Sequence, residues 1–203
     1  MTTIRTMTLA WALASALLAC GRGKVDAPPD PVVTAGMEEE PGKVRAEEVV
    51  TVSATVQDID LKSREVTLVR ADGEEIVFTA GPDVRNLDRV RRGDVVGVTY
   101  YQSLALDLRK AGKAETGVQQ AEGVERSQPG EKPGGVVAES TKITAEIVRI
   151  DKKNNTISLK GPRGYTRTFP VRNPKHLDEA KVGDFVELTY TEAIGIKVEP
   201  PAK

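Results

Sequence analysis

The sequence predicts an all-β protein: two tandem five-stranded small barrels, each with a short helical turn between its third and fourth strands. An N-terminal signal helix and flexible linkers complete the chain. Three observations carry this reading. Apolar residues recur with period two, not 3.6, through 49–110 and 141–199. Those two segments repeat one another. The stretches before and between them are rich in Pro, Gly and charge, and they lack apolar periodicity.

The N-terminus reads as an address. Residues 1–8 carry one positive charge, at Arg5, and Leu9–Leu18 read LAWALASALL without a charge. As a helix that stretch is roughly 15 Å long, about half a bilayer core, so it suits a signal-peptide h-region rather than a span. Leu17-Leu18-Ala19-Cys20 follows, then Gly21. This resembles the lipobox of bacterial lipoproteins. The resemblance implies a diacylglyceryl group on the Cys20 thiol, signal cleavage between Ala19 and Cys20, and further acylation, as by palmitate, of the new amino group. Several acyl chains hold firmly where one binds marginally. Gly21, not Asp, after the cysteine resembles the enterobacterial signal for the outer membrane, facing the periplasm. The plainer alternatives are an ordinary cleaved signal peptide with an incidental Cys, or an initiator-proximal core helix.

Removing residues 1–19 takes away Trp11, Met1 and Met7. The mature chain then keeps Met37, His176 and a Cys20 whose sulfur is a thioether. No internal disulfide or four-ligand zinc site can be built from one Cys and one His. The formal net charge of −1 removes any global case for nucleic-acid binding.

Residues 20–48 read as a disordered tether and 111–140 as a disordered linker. The first holds four Pro and the run Glu38–Glu40; the second holds six Gly and two Pro. Pro133-Gly134-Gly135 argues against order there, although Val136-Val137 could add a little edge strand. Thr51–Leu108 aligns with Lys142–Val198 with a one-residue gap near 84 and 14 identities in 57 paired positions. This internal duplication is the strongest signal in the body of the chain.

Within each repeat the elements follow in order. Val52, Ala54 and Val56 alternate, as do Ile143, Ala145 and Ile147; both series break step before Ile59 and Ile150, as a bulge requires. Val66 and Leu68 match Ile157 and Leu159 on the second strand. Gly73 and Gly164 supply the positive φ of a hairpin turn. The third strand carries Phe78 or Phe169, with Phe169 expected in the core. Leu87/Val90 and Leu177/Ala180 are spaced i, i+3 for a single helical turn, which Gly93-Asp94 or Gly183-Asp184 ends. The fourth strand alternates Val96, Val98, Tyr100 or Val186, Leu188, Tyr190. The fifth alternates Leu104, Leu106, Leu108 or Ile194, Ile196, Val198. A tail, 200–203, closes the chain. This order resembles an OB-like small barrel. The repeated pattern Ile59-Asp60, Asp72-Gly73, Gly93-Asp94, Tyr100 and Ala105-Leu106 also resembles repeat-bearing envelope proteins of Gram-negative bacteria. The second unit matches with Ile150-Asp151, Gly164, Gly183-Asp184 and Tyr190.

Candidate sites are few. The barrels are similar in pattern to periplasmic copper chaperones, but neither repeat has the Met or Trp that a soft copper site uses, so no metal and no cofactor is expected. His176 reads as a solvated turn residue, with Asn86 as its counterpart. Arg92-Gly93-Asp94 reads as a turn into a strand rather than an integrin tripeptide. Asp60 and Asp151 are placed as turn hydrogen-bonders. Tyr100 and Tyr190 are expected to pack with their hydroxyls at a barrel rim. Arg85, Arg89, Arg91 and Arg92 surround the first helical turn; Lys175, His176 and Lys181 surround the second. These are the candidate anion-binding residues, although a solvated charged face explains them as well. Segment 141–199, with 11 basic and 8 acidic residues, is the more basic unit. It lacks enough free aromatics for a nucleic-acid stacking platform.

No nucleophile elbow, phosphate loop or His-rich metal motif is present, so the chain is not expected to be an enzyme. The expected role is a lipid-anchored, periplasm-facing binding or scaffolding module. Its partners are the membrane, through acyl chains on Cys20, and an envelope protein. The alternative is a module for an anionic glycan or small solute, bound through the second barrel.

Overall fold

The computed structural model describes residues 28–201. The signal segment, Ala19 and Cys20 lie outside the described residues. The chain runs β1 (Val32–Glu40), β2 (Lys43–Asp60), β3 (Glu65–Arg70), β4 (Glu75–Thr79), a 3-10 turn (Leu87–Arg89) and β5 (Val95–Arg109). It continues with β6 (Gly117–Arg126), β7 (Gly134–Asp151), β8 (Thr156–Lys160), β9 (Thr166–Pro170), α1 (Lys175–Glu179) and β10 (Phe185–Glu199). The protein is all-β, and its ten strands form one open antiparallel sheet in the order β4-β3-β2-β5-β10-β7-β8-β9. β1 pairs with the first half of β2, and β6 with the first half of β7.

The duplication is visible in this order, because the two halves mirror one another across the β5–β10 seam. That seam runs the full length of both strands, from Val95 opposite Glu199 to Arg109 opposite Phe185. Its midpoint is Gln102 opposite Glu192, and these two residues occupy the same place in their repeats. A pseudo-two-fold axis therefore passes through this pair.

Several local expectations hold. The register shifts between Val56 and Asp58, and again between Ile147 and Arg149. Beside each bulge, on the strand's other edge, the Gly-Asp turn continues the backbone pairing. Val56 N donates to Asp94 O at 2.8 Å and Gly93 N donates to Val56 O at 2.8 Å. Ile147, Asp184 and Gly183 repeat this at 2.7 and 2.8 Å. Gly93 and Gly183 take φ of 89° and 92°, which only glycine adopts without strain. The hairpin glycines Gly73 and Gly164 sit at 86° and 81°. Leu87, Val90, Leu177 and Ala180 are buried beneath their helical turns.

The larger architecture differs from the expectation in four ways. The expected fourth and fifth strands of each repeat are one continuous strand, β5 or β10, with no turn between them. Alternation is unbroken through Tyr100, Gln102 and Leu104; only a polar side chain interrupts the apolar series. Second, the tether and linker are not chain without structure. Residues 32–48 and 117–140 supply β1, β6 and the first halves of β2 and β7. The two arms leave β1 and β6 exposed on both faces, so their composition looks unpacked although every rung is paired. Val136-Val137 lies in β7, paired on both sides, not at an edge.

Third, Gly134-Gly135 marks crowding rather than freedom. A Cβ on Gly135 would sit 2.8 Å from the Glu125 carbonyl oxygen. Fourth, Phe169 and its counterpart Phe78 are 45% and 42% exposed, because β4 and β9 are outer strands with one neighbour each.

The cores lie at the two ends of the sheet. One comprises Ala54, Val56, Val66, Leu68, Ala80, Leu87, Val90 and Val198. Val198 belongs to β10, so the first repeat's core takes a side chain from the second repeat. Ala145, Ile147, Leu177 and Ala180 are the buried apolar residues at the other end.

Candidate binding face

In an antiparallel pair, directly opposed residues share a face, and alternate residues along each strand share it too. The register therefore sorts six central strands, β1, β2, β5, β10, β7 and β6, into two faces. One carries small and polar residues: Thr51, Ser53, Gly97, Thr99 and Gly195 line an open groove of about 680 Å³. Two close ion pairs lie on it. Arg45 chelates Asp107 at 2.9 and 3.0 Å, and Arg109 meets Glu187 at 2.7 Å.

The opposite face is apolar and open. Between the two end cores run Val52, Val98 and Ile196, then Val50, Tyr100, Ile194 and Val137. On the far side of the midpoint run Ala46, Leu104 and Tyr190, then Val44, Leu106, Leu188 and Ile143. Many of these are substantially exposed: Val52 42%, Ile194 50%, Ile196 48%, Val137 53% and Leu104 38%. Monomeric proteins seldom leave so long an apolar strip in water.

A polar band crosses this strip at the pseudo-two-fold axis. Glu122 of β6, Glu139 of β7, Glu192 of β10, Gln102 of β5 and Glu48 of β2 are successive cross-strand partners. Tyr100 Oη donates to Glu192 Oε1 at 2.6 Å, and Gln102 Nε2 donates to Glu48 Oε2. Tyr190 Oη lies 3.5 Å from Glu192 Oε2. The two tyrosines thus converge on one carboxylate in mid-sheet; they do not sit at a barrel rim. The bond to Glu192, with burial behind it, raises the Tyr100 phenol above its ordinary pKa. Beside the band, Met37, Ala46, Leu104 and Tyr190 border an open groove of about 540 Å³.

The proposed anion-binding cations are not gathered. Arg85, Arg89, Arg91 and Arg92 surround the 3-10 turn ahead of β5, while Lys175 and Lys181 flank α1 ahead of β10. β5 and β10 are antiparallel, so these starts lie roughly 45 Å apart at about 3.4 Å per residue. Arg91 Nη1 is held by the carbonyls of Asp88 and Val90, and Arg89 Nε lies 3.6 Å from Asp88. Asp60 accepts hydrogen bonds from turn N–H groups, that of Lys62 leading, and Asp151 accepts first from the Asn154 side-chain amide and then from the Asn154 backbone N–H. These bonds lower both carboxyl pKa values.

Contacts tie the two repeats together at both ends of the sheet. Lys132, on the β6–β7 loop, pairs with buried Asp94 of the first repeat, and Asn86 Nδ2 donates to Gln128 O at 2.7 Å. At the other end Gly42 N donates to His176 Nδ1 at 3.2 Å, and Glu39 lies 3.7 Å from the imidazole. His176 is accordingly a packed residue, with its side chain only 16% exposed, not a solvated one. Asp184 accepts N–H groups of Lys181 and Ala111 at 3.0 Å each, and Lys110 Nζ at 3.3 Å. Burial alone would raise its pKa; these donors more than offset it and the carboxyl is held low.

Sequence reasoning missed the glutamate band, Lys132 and Lys110. Glu48 and Glu139 stand at the same offset as Ala54 and Ala145, so extending the repeat into the supposed tethers would have exposed half of the band. Among the described residues no helix is long and apolar enough to cross a membrane, and no His, Cys, Asp or Glu group is arranged for a metal. The chain matches no protein-family model, no curated protein and no solved structure.

Proposed function

We propose that this chain is a membrane-anchored, periplasm-facing, non-catalytic interaction module of the cell envelope. The anchor rests on Leu17-Leu18-Ala19-Cys20. The docking role rests on one observation, the open apolar strip across β2, β5, β10 and β7. An antiparallel sheet with one apolar face gains stability by covering that face, which makes it a surface for a partner. Each repeat is an opened relative of the OB-like small barrel: it keeps three meandering strands, a helical turn and a returning strand.

In-cell photocrosslinking tests the docking role. A photoreactive side chain at Ile194 should capture one defined envelope partner, whereas one at Lys197, on the opposite face, should not. Equal capture from both faces would refute it. Fatty-acid labelling tests the anchor: label should be lost in Cys20→Ser, and persistent label would refute lipidation there.

A further inference from the structure

The docking face carries its own specification of the partner. Five acidic side chains project from it in the six central strands: Glu39, Glu48, Glu122, Glu139 and Glu192. Arg126, at one corner, is the lone cation on the same face among these strands. Glu122, Glu139 and Glu192 are direct cross-strand neighbours, an arrangement that destabilises a sheet through like-charge repulsion. Among the described residues no Lys or Arg is paired with Glu48, Glu122, Glu139 or Glu192. On the opposite face, by contrast, Arg45 and Arg109 each have a carboxylate. The repulsion is therefore left for something outside the chain to relieve.

From these observations we infer that the face docks a protein segment whose own pattern is apolar–basic–apolar: Lys or Arg over the glutamate band, with apolar side chains on either side. This rests on the reading of the face as a partner surface and adds the partner's chemistry. Successive rows on one face are about 6.8 Å apart along the strands. The two apolar rows on each side thus make a footprint roughly 27 Å long, which about 18 residues of helix would cover. A second copy of this chain is disfavoured, because face-to-face pairing would set one glutamate band against the other. An anionic membrane surface is disfavoured by the same charge.

The test uses the full chain and three synthetic peptides of about 18 residues. One carries central lysines between leucine-rich ends, the second carries glutamates in place of the lysines, and the third keeps the lysines but has serine ends. The first should bind, and the Glu122→Gln/Glu139→Gln chain should bind it about tenfold more weakly, with the difference shrinking as salt rises. The glutamate and serine peptides should bind at least tenfold more weakly than the first. Removing repelling charges does not threaten the fold, so loss of binding reads out recognition. Equal binding of the glutamate peptide would overturn the inference, as would unchanged affinity of the Gln chain. So would a concentration-dependent dimer abolished by Ile194→Ser, or binding to anionic vesicles through this face. If Ile194 captures a partner in cells and the Gln substitutions leave capture unchanged, the charge specification fails while the docking role stands. If nothing is captured, the docking role itself fails.

Discussion

Gln102 and Glu192 face one another at the centre of the molecule, and each is the other's counterpart in the duplicated sequence. Their pairing turns two repeats into one sheet, since all fifteen rungs of the β5–β10 seam are set by it. It also delivers Tyr100 of the first repeat to a carboxylate of the second, at 2.6 Å.

That bond can be read by titration. A phenol donating to a carboxylate loses its proton less readily, because the phenolate would face a negative charge at hydrogen-bond distance. Tyrosinate absorbance should show the Tyr100 phenol titrating above the ordinary value of about 10. In Glu192→Ala that upward shift should be lost. An unchanged curve would show that Tyr100 does not bond to Glu192 in solution.

The two repeats should unfold together. Val198 of β10 is buried in the first repeat's core, and the arms of each repeat are tied to the helical turn of the other. Val198→Ala removes two buried methyl groups and should cost about 1–3 kcal/mol. Calorimetry should still show a single transition, shifted down as a whole. Two separated transitions would mean that the repeats are independent.

Asp184 should govern part of the acid sensitivity. Its carboxyl pKa is held below the unfolded value of about 3.9. Its stabilisation is therefore complete above the unfolded value and is lost as pH falls through the folded one. Asp184→Ala should destabilise by about 1–3 kcal/mol at neutral pH, because the N–H groups of Lys181 and Ala111 lose their acceptor. Urea midpoints should show that this deficit shrinks toward pH 2. A deficit independent of pH would assign Asp184 a packing role instead.

Two glycines should respond differently to alanine. At Gly135 the new Cβ would press on the Glu125 carbonyl, so β6 must shift and the cost should be about 1–3 kcal/mol. At Gly73 nothing lies within 4 Å, so only the φ of +86° matters, at about 1 kcal/mol. Hydrogen exchange should show lost protection in β6 for Gly135→Ala and a purely local change for Gly73→Ala. Equal, local effects would contradict the crowding at β7.

The elements legible in the sequence are those whose cause is local. Alternation placed the β2–β3–β4 meander, the bulge at Val56 showed as a broken step, and Gly73 and Gly93 marked turns that need positive φ. The i, i+3 pairs Leu87/Val90 and Leu177/Ala180 gave the helical turns. Cys20 and its neighbours set the expected address without reference to any fold. The arms escaped because a two-stranded ribbon wet on both faces needs no apolar composition; its order comes from backbone pairing with a strand that other contacts hold.

The binding face escaped for a related reason. Glu48, Glu122, Glu139 and Glu192 are scattered over 145 residues and are ordinary surface glutamates when taken singly. Only strand register brings them into one row, and register is a long-range property of the sheet. By itself the sequence determined the duplication, the strand period and the turn chemistry, all of which are written in neighbouring residues. The tertiary structure decided that the repeats share one sheet, that Val198 crosses between them, and that the carboxylates share one apolar face. Each of those depends on which strand lies beside which, and pairing energy between distant segments leaves no mark in either segment alone.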